Sequence, residues 1–175
     1  MEPRVDSGRN LEAFLRQVEA PLYTFLLRLT RDVEDAHGTA RETMARILRL
    51  EHLGRVPEDA ANRRALVFST AYHLAMGHVR TRRWASAPAP REEPPPDRPL
   101  DELMALRQIE RALDDLPAPQ RDALLLRVFG ELRYADIAHT LRCTAELVRT
   151  WVCHARRSLG EHLHGDVSDV RTADE

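Results

Sequence analysis

Two groups of residues in this sequence are suited to chemistry on a polyanion. The first lies near the C-terminal end. If the chain is helical from Thr144 to about Leu163, then Val148, Val152, Ala155 and Leu159, spaced four, three and four apart, share one buried side. At about 100° per residue the opposite side carries Glu146, Arg149, Thr150, Cys153, His154 and Arg157. Arginine can pair bidentately with guanine or hold a phosphate, and threonine is short enough to reach a base edge or a thymine methyl. A helix in a major groove has this composition, and so does an ordinary solvated face.

The second group spans Ala60 to Pro90, a stretch without an acidic residue. It holds Arg63, Arg64, Arg80, Arg82 and Arg83 beside Phe68, Tyr72, His73, His78 and Trp84. Basic groups interleaved with rings can hold a phosphate backbone and stack unpaired bases. The same composition also suits a helix whose rings are core and whose arginines keep it soluble, and spacing alone leaves both readings open. Leu66, Val67, Leu74, Ala75 and Val79 are the clearer core candidates.

Enzymatic chemistry finds little material. His139, Cys143, Cys153 and His154 contain zinc-ligating types but no close Cys pair, and two helices meeting at a corner would aim them apart. There is no glycine-rich phosphate loop, pair of catalytic carboxylates or serine elbow. The expectation is a protein that is not an enzyme and that needs no metal or cofactor.

These groups need helices to position them. Apolar residues recur at helical spacing from Leu11 to Leu50, with a break at Thr30–Arg31–Asp32 where Asp32, Glu34 and Asp35 suit the start of a new helix. Gly54 and Pro57 mark a turn, and a further helix is expected from about Ala60 to Trp84. Six prolines between Ala85 and Pro99 forbid a helix and favour an extended linker. Beyond it, Leu103, Leu106, Ile109, Ala112 and Leu113 restore a helical face, and helices are expected from Arg121 to Phe129, from Tyr134 to Leu141 and from Thr144 onward. Ile137, Ala138 and Leu141 would face Val148 and Val152 across a tight corner, with Thr144 as N-cap of the second helix.

The fold class predicted is all-α: two small helical domains joined by a proline-rich linker, the second containing a helix-turn-helix. The expected boundaries are 1–84, linker 85–102, 103–164, and a disordered polar tail over 165–175. With 43% apolar but only 5% aromatic residues, each core must be modest and aliphatic. The net charge of −2 excludes a uniformly basic coat, so nucleic-acid contact must come from local patches. Two cysteines and no membrane-length apolar run or signal peptide point to a cytoplasmic protein with no membrane insertion.

The order of these parts resembles the extracytoplasmic-function sigma factors of bacterial RNA polymerase. Ala112 to Arg127, with Leu116-Pro117, then Gly130, Tyr134-Ala-Asp-Ile-Ala, Leu147-Val-Arg and His154-Ala-Arg-Arg-Ser-Leu, is similar to their region 4. The resemblance implies that this module docks on the polymerase flap and reads the minus-35 element with its last helix. Arg64 to Arg83 resembles regions 2.3 and 2.4, which implies capture of the opened minus-10 strand by Asn62, Arg63, Arg64, His73, Arg80, Arg82 and Arg83, with the loop Gly54–Asn62 reading a base. Asp35 to Ile47 resembles region 2.2, which implies a polymerase grip through Asp35, Arg41, Glu42 and Thr43. The linker acids Glu92, Glu93 and Asp97 would imitate a nucleic-acid backbone along the polymerase cleft.

Departures from the pattern stand at His37, Gly38, Arg41, His73, Gly77, Arg142, Trp151 and His154. The partners implied are core RNA polymerase, promoter DNA and, by analogy, an anti-sigma factor. A sigma-like decoy that binds polymerase or a regulatory partner without initiating transcription fits the same residues. An autonomous dimeric repressor would explain only the second domain.

Overall fold

A computed structural model describes residues 4–82 and 100–169, and among them every element is helical. The helices are α1 (Arg4–Thr30), α2 (Val33–His52), α3 (Ala60–Arg82), α4 (Leu100–Asp114), α5 (Ala118–Val128), α6 (Tyr134–Leu141) and α7 (Ala145–Asp169).

The first three pack on one another around Val18, Leu22, Phe25, Leu26, Ile47, Val67, Phe68, Ala71 and Ala75. Phe25 and Phe68 meet edge to face at 5.5 Å. α1 runs through Pro21, which lacks the amide proton a helix interior uses. Burial of Val18, Leu22, Phe25, Leu26 and Leu29 on one stripe offsets that cost of about 3 kcal/mol, since each large apolar side chain contributes about 1.5–3 kcal/mol. The expected break after Thr30 is present: Arg31 takes a left-handed φ of 58°, and Asp32 caps α2 by accepting from the Asp35 amide at 2.9 Å. Asp59 starts α3 in the same way, accepting from Asn62 N at 2.9 Å.

α4 to α7 pack around Leu113, Leu116, Leu124, Leu125, Leu126, Leu132, Ile137, Val148, Val152 and Ala155. Thr144 accepts from Leu147 N at 3.3 Å and begins α7 as expected. α5 begins at Ala118, earlier than the expected Arg121, because Pro117 and Pro119 are tolerated at a helix start where no amide partner is needed. α7 continues to Asp169, past Gly165, where a disordered tail was expected. Residues 170–175 and most of the linker, 85–99, lie outside the described residues.

The cores of the two halves are one continuous cluster. α1 packs on α5, and α3 on α6. At the junction Gly130 is buried, and a Cβ there would stand 2.6 Å from the Leu126 carbonyl oxygen and 3.2 Å from the Phe68 ring, so only glycine permits this approach.

Candidate nucleic-acid interface

Glu146, Arg149, Thr150, Cys153, His154 and Arg157 are all exposed on α7, opposite the buried Val148, Val152 and Ala155. Thr150 Oγ1 donates to the Glu146 carbonyl at 3.1 Å, so its methyl is the part left to contact a base. The Arg149 guanidinium lies 5.6 Å from the centre of the Tyr134 ring, and Arg127 lies 5.2 Å from the same ring. Tyr134, at the start of α6, thereby holds two guanidinium groups beside the α7 N-terminus.

At the other end of the junction, α3 presents its first turn. Asn62 is exposed, and its side-chain oxygen accepts from Arg133 Nη2 at 2.7 Å. Arg133 also forms a bidentate pair with Asp136 at 2.7 and 3.1 Å. Arg64 donates to the carbonyls of Gly130 at 2.7 Å and Phe129 at 3.1 Å. His73 and Arg80 are exposed, and His73 stands edge-on to Tyr72 at 5.8 Å. No side-chain description covers Arg82, and Arg83, Glu92, Glu93 and Asp97 lie outside the described residues.

Two residues expected at contact surfaces are structural instead. Arg63 is only 8% exposed: Nε donates to the Pro57 carbonyl, Nη2 to that of Glu58, and the group stacks on Phe14. Its charge is used in folding the loop before α3, which removes it from a phosphate-binding set. Thr43 is fully buried and donates to the Thr39 carbonyl at 2.7 Å, so it cannot touch a partner. Asp35 is half-buried, whereas Arg41 and Glu42 stand exposed on α2.

The family described as Sigma-70, region 4, matches residues 106–159, which run from α4 into α7. A probable RNA polymerase sigma-C factor of Mycobacterium bovis and the ECF RNA polymerase sigma factor SigC of Mycobacterium tuberculosis are each 30% identical over 161 residues, 87% of this chain and 83% of theirs. The chain belongs to the extracytoplasmic-function sigma factors. The fold agrees: the sigma factor RpoE of Bartonella quintana, solved in complex with the anti-sigma factor NepR, superposes with a TM-score of 0.67 at 22% identity, covering 91% of this chain and 97% of that one.

Within this sigma factor, sequence reasoning missed Asp122, Arg127 and Arg133, and named Tyr72 only as a ring beside the arginines of α3 and Tyr134 only as the start of α6. Asp122 is 6% exposed; it accepts from the Tyr72 hydroxyl at 3.1 Å and from Arg121 at 3.4 Å. Burial holds the Asp122 carboxyl above its ordinary 3.8, against the opposing pull of Arg121 and Tyr72. Burial and the facing carboxylate likewise push the Tyr72 hydroxyl upward. An acid immediately before the apolar run Ala123-Leu-Leu-Leu was the available signal. Among the described residues no group of three or more His, Cys, Asp or Glu side chains is placed to hold a metal ion, and no helix is long and apolar enough to cross a membrane.

Proposed function

We propose that this chain binds core RNA polymerase in the cytoplasm and directs it to promoters, where it recognises, melts and initiates. The observation that carries the reading is that similarity to sigma factors spans both halves of the chain rather than the DNA-reading half alone. In this reading α6 and α7 form a helix-turn-helix, and Arg149, Thr150, His154 and Arg157, with Glu146 and Cys153, read the minus-35 duplex. Asn62, Arg64, His73 and Arg80, with Arg82 and Arg83, hold the opened minus-10 strand. The grip on polymerase falls to Asp35, Arg41 and Glu42. An anti-sigma partner belongs to the same proposal, because the similar Bartonella protein was solved with one. Run-off transcription with purified core polymerase tests the whole. A promoter-dependent transcript that requires the chain is the expected result. Polymerase binding without any transcript would turn the assignment toward a decoy.

A further inference from the structure

Arg127 of α5 and Arg149 of α7 approach one aromatic ring, that of Tyr134, at 5.2 and 5.6 Å from its centre. Two cations near one ring repel each other, so the ring and its surroundings must offset that repulsion. Arg127 has an anchor of its own: Nη1 donates to the Leu132 carbonyl at 2.7 Å and closes the segment between α5 and α6. Tyr134 is half-buried against the core at the first residue of α6, and the bidentate pair of Arg133 with Asp136 fixes that turn. The ring is therefore placed by α6 and Arg127, not by Arg149. Arg149 is the exposed member of the trio, the one whose charge is open to a ligand. An unsupported arginine beside a groove reaches phosphates and base edges alike and loses the freedom of its long side chain on binding. Held on a ring, it has lost part of that freedom before DNA arrives.

We infer that Tyr134 is a positioning residue for base reading, a ring that confines the Arg149 guanidinium to the base edges of the minus-35 duplex and keeps it from the phosphates. The inference rests on the minus-35 contacts proposed above. Tyr134 sets specificity in it, not affinity. Phosphate contacts supply binding whatever the sequence, whereas discrimination requires a guanidinium aligned with a base edge in bidentate fashion. Arg157 supplies the comparison within the same face. It stands about 12 Å further along α7, at about 1.5 Å per residue, so its preference is set without this ring.

The test uses holoenzyme assembled from the full chain and purified core polymerase, presented with duplexes carrying a random segment of about 40 base pairs, long enough for two elements two turns apart. Sequencing the retained duplexes gives the preference at each base pair, and filter retention of an unselected duplex gives the sequence-independent affinity. Arg149→Ala marks the base pair that Arg149 reads, and Arg157→Ala does the same for Arg157. Tyr134→Leu is expected to reduce the preference at the Arg149 base pair about two- to fivefold, the fold-change of one cation–π contact at an exposed site. The Arg157 base pair and the unselected duplex should be unaffected. Tyr134→Phe keeps the ring and should keep the preference, and Tyr134→Leu combined with Arg149→Ala should lose no more than Arg149→Ala alone. An Arg149 preference untouched by Tyr134→Leu overturns the inference. So does an even loss at every base pair, the mark of a disturbed α6, and so does Tyr134→Phe impaired as much as Tyr134→Leu, the mark of a hydroxyl acting on DNA itself. If Arg149→Ala shifts no preference, or the parent enriches no sequence, the reading face proposed above fails and the role of Tyr134 fails with it.

Discussion

Arg149 and Arg157 occupy the same exposed face of α7 but are tied differently to the rest of the protein, and that difference separates recognition from folding. Arg149 stacks on Tyr134 at 5.6 Å, whereas Arg157 lies two turns further along. Replacing either by alanine should weaken binding to a minus-35 duplex by about 1–3 kcal/mol if it pairs bidentately with a base. Thermal melting should be unchanged for Arg157→Ala and slightly lowered for Arg149→Ala, whose cation–π contact is worth about 0.5–1 kcal/mol. Parental duplex affinity in both variants, read by anisotropy, would remove the reading face. Asp122 makes a prediction about pH. Its folded pKa is raised above 3.8, so between 3.8 and the raised value the native state keeps a proton that the unfolded chain releases. That contribution to stability is full below 3.8 and is lost as pH rises through the window. Asp122→Asn keeps an acceptor for Tyr72 and removes the titration. Urea denaturation across pH 4 to 7, roughly the range above an ordinary carboxyl, should therefore show a flatter profile in the variant. An identical slope in both proteins would contradict the burial of the charge.

At the scale of elements, the turn between α6 and α7 carries a measurable strain. Arg142 ends α6 with φ 56° and ψ 48°, a left-handed conformation that costs a non-glycine residue about 1–2 kcal/mol. Its amide bonds the α6 C-terminus through the His139 carbonyl, and the Cys143 amide reaches Ala138 at 3.0 Å, so the geometry is enforced by the cap. Glycine satisfies the same cap without the steric cost but loses more entropy on folding. Arg142→Gly should stabilise the protein by about 0.5–1 kcal/mol, raising the melting temperature by about 2–4 °C per kcal/mol. A lower melting temperature would mean that the arginine side chain contributes more than its backbone costs. Arg142 stood out in the sequence as a departure from the pattern the chain resembles, and the α7 stripe of Val148, Val152 and Ala155 was legible because local spacing encodes it. Arg63 was misread for a related reason. An arginine one turn into a helix looks like a surface charge, and only the folded loop Pro57–Glu58 supplies the carbonyls that bury it.

The whole molecule is where sequence reasoning stopped short. Two domains and a linker were expected, but nothing in periodicity or composition pairs Arg28 with Glu110, Tyr72 with Asp122 or Arg133 with Asn62, residues 82, 50 and 71 positions apart. Such pairs follow from tertiary packing of one half on the other and leave no local trace. The segment joining the halves also decides how far they can part. α3 ends at Arg82 and α4 begins at Leu100. Its proline-rich part, Ala85 to Pro99, can span on the order of 45 Å at about 3.1 Å per residue in the polyproline conformation. With the dimensions of the two halves added, that reach suits two promoter elements about 68 Å apart. Deleting Pro94 to Pro99 shortens the reach by about 19 Å. That variant should bind either element as a separate oligonucleotide yet give no run-off transcript from the joined promoter. Replacing Glu92 and Glu93 by glutamine and Asp97 by asparagine keeps the length and removes the negative charge that would imitate a nucleic-acid backbone. It should bind and melt the promoter as the parent does but shift the ratio of abortive to full-length RNA, because a linker lying in the path of the transcript must be displaced by it. If both variants transcribe like the parent, the linker neither sets the span nor meets the RNA, and the two halves need not engage one promoter together.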